Sequence, residues 1–203
     1  MNIDVNCHSS IRIEYNNKII YVDPFKIDSN SNDADYIFIT HSHYDHLSMV
    51  DIKKIVKDNT KFVIPINEID KIDEYKNILG VEPNKEYVID DISFSTVPSY
   101  NTNKEFHKKE YGWLGYIFNF NKVLYIAGDT DDNEDIRKVK CDIAMVPIGG
   151  VYTMNYEEAA EYINYIKPEE VIPIHYGTIV GNLEDGKLFS SLVDEDIKVT
   201  LPY

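Results

Sequence analysis

Four side chains able to bind a metal fall within six residues in His41-Ser42-His43-Tyr44-Asp45-His46. Imidazole nitrogens and carboxylate oxygens coordinate zinc and similar first-row ions at about 2.0–2.2 Å. In a loop, residues i and i+2 can converge on one ion while i+4 and i+5 turn toward a second. The HxHxDH spacing therefore suits a two-metal site. Of the six histidines in the chain, three lie in this segment, which separates it from an ordinary polar loop. The chemistry open to such a cluster is hydrolysis by a water that the ions activate. No GxSxG element offers a competing serine nucleophile.

Elements must hold those residues in place, and the hydrophobic pattern supplies them. Tyr36-Ile37-Phe38-Ile39 is a continuous apolar run, as expected of a strand buried on both faces, and the histidine cluster follows it directly. Loops at strand ends are where ligands and catalytic groups collect. A helix is expected next, with Met49, Val50, Ile52, Ile55 and Val56 at helical spacing. Upstream, Ile11-Arg12-Ile13-Glu14-Tyr15 and Lys18-Ile19-Ile20-Tyr21-Val22 flank Asn16-Asn17, a hairpin signal. Residues 61–66 read as strand, 67–79 as a weaker helix, and 87–97 as two strand segments. The second half repeats the scheme, with strands over 115–120, 123–127, 142–146 and 171–174. Between the last two, Asn155 and Glu158 form a capping box, and Tyr156, Ala159, Ala160, Ile163 and Ile166 make one apolar face that Pro168 ends. Phe189 and Leu192 suggest a final short helix before a strand over 197–201. With no linker or repeat to divide it, the chain reads as one α/β domain, 1–203, of two sheets with helices outside.

Composition excludes several classes. Hydrophobic residues make up 43% of the 203, enough for a sizeable core. No apolar run approaches the roughly 20 residues of a membrane span. The start, Met1-Asn2-Ile3-Asp4, lacks the pattern of a secretory signal. Cys7 and Cys141 cannot build a disulfide framework and look like small core residues, so a reducing, cytoplasmic setting is expected. Thirty-five acidic against twenty basic residues give a net charge of −15, and a surface of that sign repels phosphate backbones. A small-molecule substrate is expected, with neither nucleic acid nor membrane as partner. A homo-oligomer is compatible with the chain.

The chain resembles the metallo-β-lactamase superfamily of metal-dependent hydrolases. His8-Ser9-Ser10, Asp23-Pro24, the HxHxDH loop, Gly128-Asp129-Thr130 and Pro173-Ile174-His175-Tyr176-Gly177 fall in the order expected of it and span almost the whole chain. Within the superfamily it looks most like the small bacterial and archaeal branch that includes the L-ascorbate-6-phosphate lactonase relatives. The resemblance implies a four-layer αββα sandwich. It also implies two divalent ions, zinc first among them, with manganese and iron also suited to the ligands. By the same resemblance His41 and His43 hold one ion, Asp45, His46 and His175 hold the other, and Asp129 bridges them. Asp45 would steer the attacking water and pass a proton to the leaving group, with His46 beside it in the catalytic pair. The implied reaction is attack of a metal-bound hydroxide on a small ester, lactone or phosphoester. A non-catalytic metal-binding regulatory protein, or a phosphodiesterase or nuclease, is the alternative.

Several positions are open in the sequence. Many superfamily members place a third histidine for the first ion in a Gly-His-Thr context, where this chain has Val97-Pro98-Ser99-Tyr100-Asn101-Thr102-Asn103. Either His107, in Glu105-Phe106-His107-Lys108-Lys109, reaches the metal from a loop, or Asn101 or water takes that place. His107 could equally be an exposed loop residue. His8 is either near the metals or a structural core histidine. Asp23 either accepts an imidazole N–H or starts a turn before Pro24. Tyr100, Trp113, Tyr152 and Tyr176 are candidates to line a pocket, though core or surface packing is the leading reading for each.

Overall fold

Strand polarity gathers the candidate residues at common edges. In the computed structural model, which describes residues 1–203, the chain divides into two compact units, Met1–Glu82 and Pro83–Tyr203. The first holds one six-stranded sheet in chain order: β1 (Asn2–Cys7), β2 (Ser10–Tyr15), β3 (Lys18–Val22), β4 (Tyr36–Phe38), β5 (Lys61–Pro65) and β6 (Ile78–Val81). β1, β2 and β3 pair antiparallel, and β3 through β6 pair parallel. β1 and β3 therefore run in the same direction as β4. His8, Asp23 and the loop from Thr40, which follow these three strands, all emerge at one edge of the sheet.

The hairpin between β2 and β3 turns on Asn16 and Asn17, both at positive φ (48° and 59°), the backbone that the favoured two-residue turn requires. The parallel step from β4 to β5 needs a crossover, and α1 (Met49–Ile55) supplies it. Ile52 and Ile55 bury against Ile37, Ile39, Phe62 and Ile64. Val50, expected in this stripe, is instead 71% exposed, because a two-turn helix presents only a narrow face to the sheet. Asp51 ties the helix to the chain after β3. Its carboxylate accepts from the Lys26 and Ile27 backbone N–H groups, the Ser48 hydroxyl and the Lys54 ammonium. Burial alone would raise this carboxyl; the Lys54 and Ser48 contacts and the two backbone donors outweigh it and hold it below the usual range.

The weaker helix expected over 67–79 is not formed. Ile66–Ile72 is a 3₁₀ helix, and the chain then joins the sheet as β6. Ile66, Ile69 and Ile72 repeat at a spacing of three, which matches the 3₁₀ period.

The second unit holds a seven-stranded sheet ordered β13-β12-β11-β10-β9-β8-β7. Its strands are β7 (Glu86–Ile89), β8 (Ile92–Pro98), β9 (Leu114–Asn119), β10 (Val123–Ile126), β11 (Ile143–Pro147), β12 (Glu170–Ile174) and β13 (Lys198–Val199). β7 to β10 pair antiparallel, and β10 to β13 pair parallel, so β8, β10, β11 and β12 share one direction. Ser99, Asp129 and His175 follow β8, β10 and β12 at the same edge.

α2 (Tyr156–Ile166) starts at the expected capping box: Asn155 Oδ1 accepts from the Glu157 and Glu158 N–H groups, and Glu158 Oε2 accepts from Asn155 N–H. It ends at Lys167, whose φ of 51° turns the chain before Pro168. Ala159, Ala160, Tyr162, Ile163 and Ile166 pack with Tyr125, Ala127, Ala144, Val146, Val171 and Phe189. The final helix, α3 (Leu183–Leu192), begins earlier than its apolar residues suggest, and β13 keeps only two residues of the expected strand before Pro202. No helix is long and apolar enough to cross a membrane.

Candidate functional site

In the first unit the histidine loop is wired to Asp23. The Thr40 N–H donates to Asp23 Oδ1 (2.8 Å) and the Thr40 hydroxyl to Asp23 Oδ2 (2.7 Å). His46 Nδ1 lies 2.7 Å from the same Oδ2. A carboxylate only accepts, so His46 Nδ1 carries the proton and Nε2 keeps its lone pair. The Thr40 hydroxyl proton is committed to Asp23, so Thr40 Oγ1 accepts from His41 Nδ1, 3.0 Å away. His41 Nε2 is thereby also left as a lone-pair donor. It sits 3.1 Å from His43 Nδ1, near the roughly 3.3 Å that separates two nitrogens on one tetrahedral ion. Asp23 thus does both things its sequence context allowed: it turns the chain at φ 48° and it accepts from an imidazole. Full burial pushes its carboxyl above the ordinary range, against the pull of His46 and Thr40.

His8 is fully buried at φ 58°, and its Nε2 lies 3.2 Å from Asp45 Oδ2. It faces a carboxylate of the histidine loop, which joins it to the candidate ligands. Asp45 Oδ2 is also 3.9 Å from His46 Nε2.

In the second unit one carboxylate oxygen collects two imidazoles. Asp129 Oδ2 lies 3.2 Å from His107 Nε2 and 3.1 Å from His175 Nε2. Ligand atoms around an ion at about 2.0–2.2 Å stand roughly 3 to 3.5 Å apart, so these separations fit metal ligands. All three residues are buried, His107 and His175 at 1% exposure and Asp129 at 4%. The exposed-loop reading of His107 is therefore excluded. Asn101 does not stand in for it: its Oδ1 accepts from the His107 backbone N–H (2.9 Å) and its Nδ2 donates to the Tyr152 carbonyl (2.8 Å).

The backbone behind Asp129 is tightly bonded. Ser99 Oγ lies 2.9 Å from both the Ala127 and Asp129 carbonyls, and the Asp131 N–H donates to the Tyr100 carbonyl. Gly128 takes φ 66°, which aims Asp129 out of the strand direction. His175 sits at φ 58°, a conformation uncommon for a residue with a side chain. A Cβ on Gly149 would collide with the His175 carbonyl, so only glycine lets the chain after β11 pass there.

Of the aromatic candidates, Tyr100 is buried with its hydroxyl donating to Asp135, and Trp113 is buried with its ring edge-on to His107 at 5.5 Å. Tyr176 is buried against α3 at Gly186, whereas Tyr152 is half-buried and pairs edge-to-face with exposed Phe106. Cys7 and Cys141 are free, and burial pushes the Cys141 thiol up to about 12, so it is no nucleophile. Residues that sequence spacing does not reveal are Thr40, which relays between two histidines and Asp23, and the Lys104–Asp131 ion pair beside His107. Neither has a local pattern; both depend on which loops meet.

The class that this fold and these residues define is that of the metal-dependent hydrolases. Residues 2–175 match the β-lactamase superfamily domain family, and the chain belongs to it. A UPF0173 metal-dependent hydrolase of Nanoarchaeum equitans is 34% identical over 88% of this chain and 85% of its own length. One from Pyrococcus furiosus is 30% identical over 96% of this chain and 92% of its own length. The crystal structure of a candidate metal-dependent hydrolase from Parabacteroides distasonis superposes with a TM-score of 0.84 at 30% identity, covering 98% of this chain and 91% of that one. Igni18, a metallo hydrolase from Ignicoccus hospitalis, shares the fold at a TM-score of 0.79 and 23% identity, over 98% and 93% of the two chains. The fold is the metallo-β-lactamase fold, two mixed sheets flanked by helices.

Proposed function

We propose that this protein hydrolyses a small ester, lactone or phosphoester, using two divalent ions bound by a single domain, 1–203. The observation that carries the reading is the pair of buried imidazoles on Asp129 Oδ2, at 3.2 and 3.1 Å, since a carboxylate flanked in this way suits an anion shared by two ions. In this reading His41, His43 and His107 hold one ion, and Asp45, His46 and His175 hold the other, with Asp129 between them. Zinc is the first candidate, and the imidazole and carboxylate donors suit manganese and iron as well. Bound ions would supply a water activated at neutral pH and would draw off charge that develops on the substrate oxygen.

The chain's own residues do the rest. Asp23 holds the His46 ring, and Thr40 holds the His41 ring, so both Nε2 atoms face away from their supports. Asp45, with Oδ2 against His8, is the group that can take up a proton at a carboxylate oxygen and return it to a leaving group. The net charge of −15 supports a small substrate over a polynucleotide. The two free cysteines support a reducing, cytoplasmic setting. Association into a homo-oligomer is compatible with this reading and plays no part in it.

The test is a panel of lactones, simple esters, phosphomonoesters and phosphodiesters, assayed before and after chelation and after zinc is restored. Chelator-sensitive turnover of a lactone, ester or phosphomonoester supports the reading. Turnover confined to phosphodiesters would favour the nuclease alternative, and none at all in zinc-loaded protein would favour a binding protein.

A further inference from the structure

The amide of Asn101 has only one orientation that satisfies its neighbours. Oδ1 faces the His107 backbone N–H at 2.9 Å, and Nδ2 faces the Tyr152 carbonyl at 2.8 Å. Exchanging the two atoms would set donor against donor and acceptor against acceptor. With the orientation decided, Oδ1 is also the atom 3.1 Å from His107 Nδ1, which must carry a proton to bond to it. A neutral imidazole with Nδ1–H has a bare Nε2. That Nε2 lies 3.2 Å from Asp129 Oδ2, so in the neutral ring two acceptors face each other, an arrangement that a metal cation between them satisfies.

We propose that Asn101 is a positioning residue that fixes the His107 tautomer and so makes Nε2 the ligating atom. It does for His107 what Asp23 does for His46, with an uncharged amide in place of a carboxylate. The segment is clasped so that the contact holds. The Asn101 N–H donates to the His107 carbonyl (2.7 Å), and Asp131 accepts from the Thr102 N–H (3.0 Å) and from Lys104 Nζ (2.5 Å). Trp113 packs edge-on to the His107 ring, with centroids 5.5 Å apart. The inference rests on His107 being a metal ligand, as assigned above.

Two measurements test it. In zinc-loaded wild-type protein, nitrogen-15 NMR of the histidine side chains should show the His107 proton on Nδ1. A proton on Nε2 would overturn the proposal without recourse to any variant. Zinc titration of variants against a competing chelator gives the second readout. Asn101→Leu should weaken one of the two ions by about 10- to 100-fold, the usual effect of losing such a support. Asn101→Asp keeps an acceptor for Nδ1–H but sets its second oxygen against the Tyr152 carbonyl, so it should lose less zinc affinity than Asn101→Leu without matching wild type. Lys104→Met opens the clasp but leaves the amide in place, and should have the smaller effect. Equal losses in Asn101→Leu and Lys104→Met would mean that loop loosening, not tautomer control, explains the result. His107→Ala separates the two levels. If it weakens one ion while Asn101→Leu does not, only this proposal fails; if neither variant changes zinc affinity, the ligand assignment fails.

Discussion

At Asp129 two imidazoles meet one carboxylate oxygen, and taking that oxygen away should remove more than one contact. Asp129→Ala is expected to lower bound zinc to one ion or none, read by elemental analysis of the dialysed protein; a variant that still holds two would end the bridging role. Asp23 makes a finer prediction. Asn at this position cannot accept on both sides, so one of the Thr40 or His46 contacts becomes donor against donor. Asp23→Asn should cost about 10- to 100-fold in affinity for the ion held by His46. Unchanged zinc titration would show that Asp23 serves only the turn. The histidine loop was legible in the sequence because its donors are adjacent along the chain. Asp129 and His175 carry weak local signals and were legible only through the order of motifs. His107 was ambiguous because its burial, its Asn101 partner and the clasp through Asp131 arise where separate loops meet.

Among the elements, α2 was the most legible, since cap, apolar face and terminator are all local signals. Asn155→Ala should destabilise the protein by about 1 kcal/mol, within roughly 0.5–2, as a shift in denaturant midpoint at constant slope. Ile163, fully buried in the second core, should cost about 2–5 kcal/mol as Ala. The 67–79 segment misled because isoleucines spaced by three also satisfy part of a helical pattern, and only pairing with β5 decides for β6. α1 adds a pH dependence. The Asp51 carboxyl is held below its unfolded value, so its contribution to stability is complete above the unfolded value near 3.9 and is lost as pH falls through the folded one. Denaturation midpoints taken from pH 5 downward should fall less steeply in Asp51→Asn than in wild type. Parallel slopes would show that the helix anchor does not depend on charge.

For the molecule as a whole, a net charge of −15 concentrates repulsion that bound cations relieve. Ions that bind only the folded chain also stabilise it by mass action, by about 2.7 kcal/mol per ion at free concentrations a hundredfold above Kd. Chelation should therefore lower the unfolding temperature, and returning zinc should restore it; calcium, a poor match for imidazole donors, should not. A melting curve indifferent to chelation would separate the histidines from any structural metal. The central claim is that two ions bind one chain. The most direct test is elemental analysis of tag-free protein reconstituted with zinc at neutral pH and freed of excess metal. About two zinc ions per chain is the predicted result, and one or none would contradict the account.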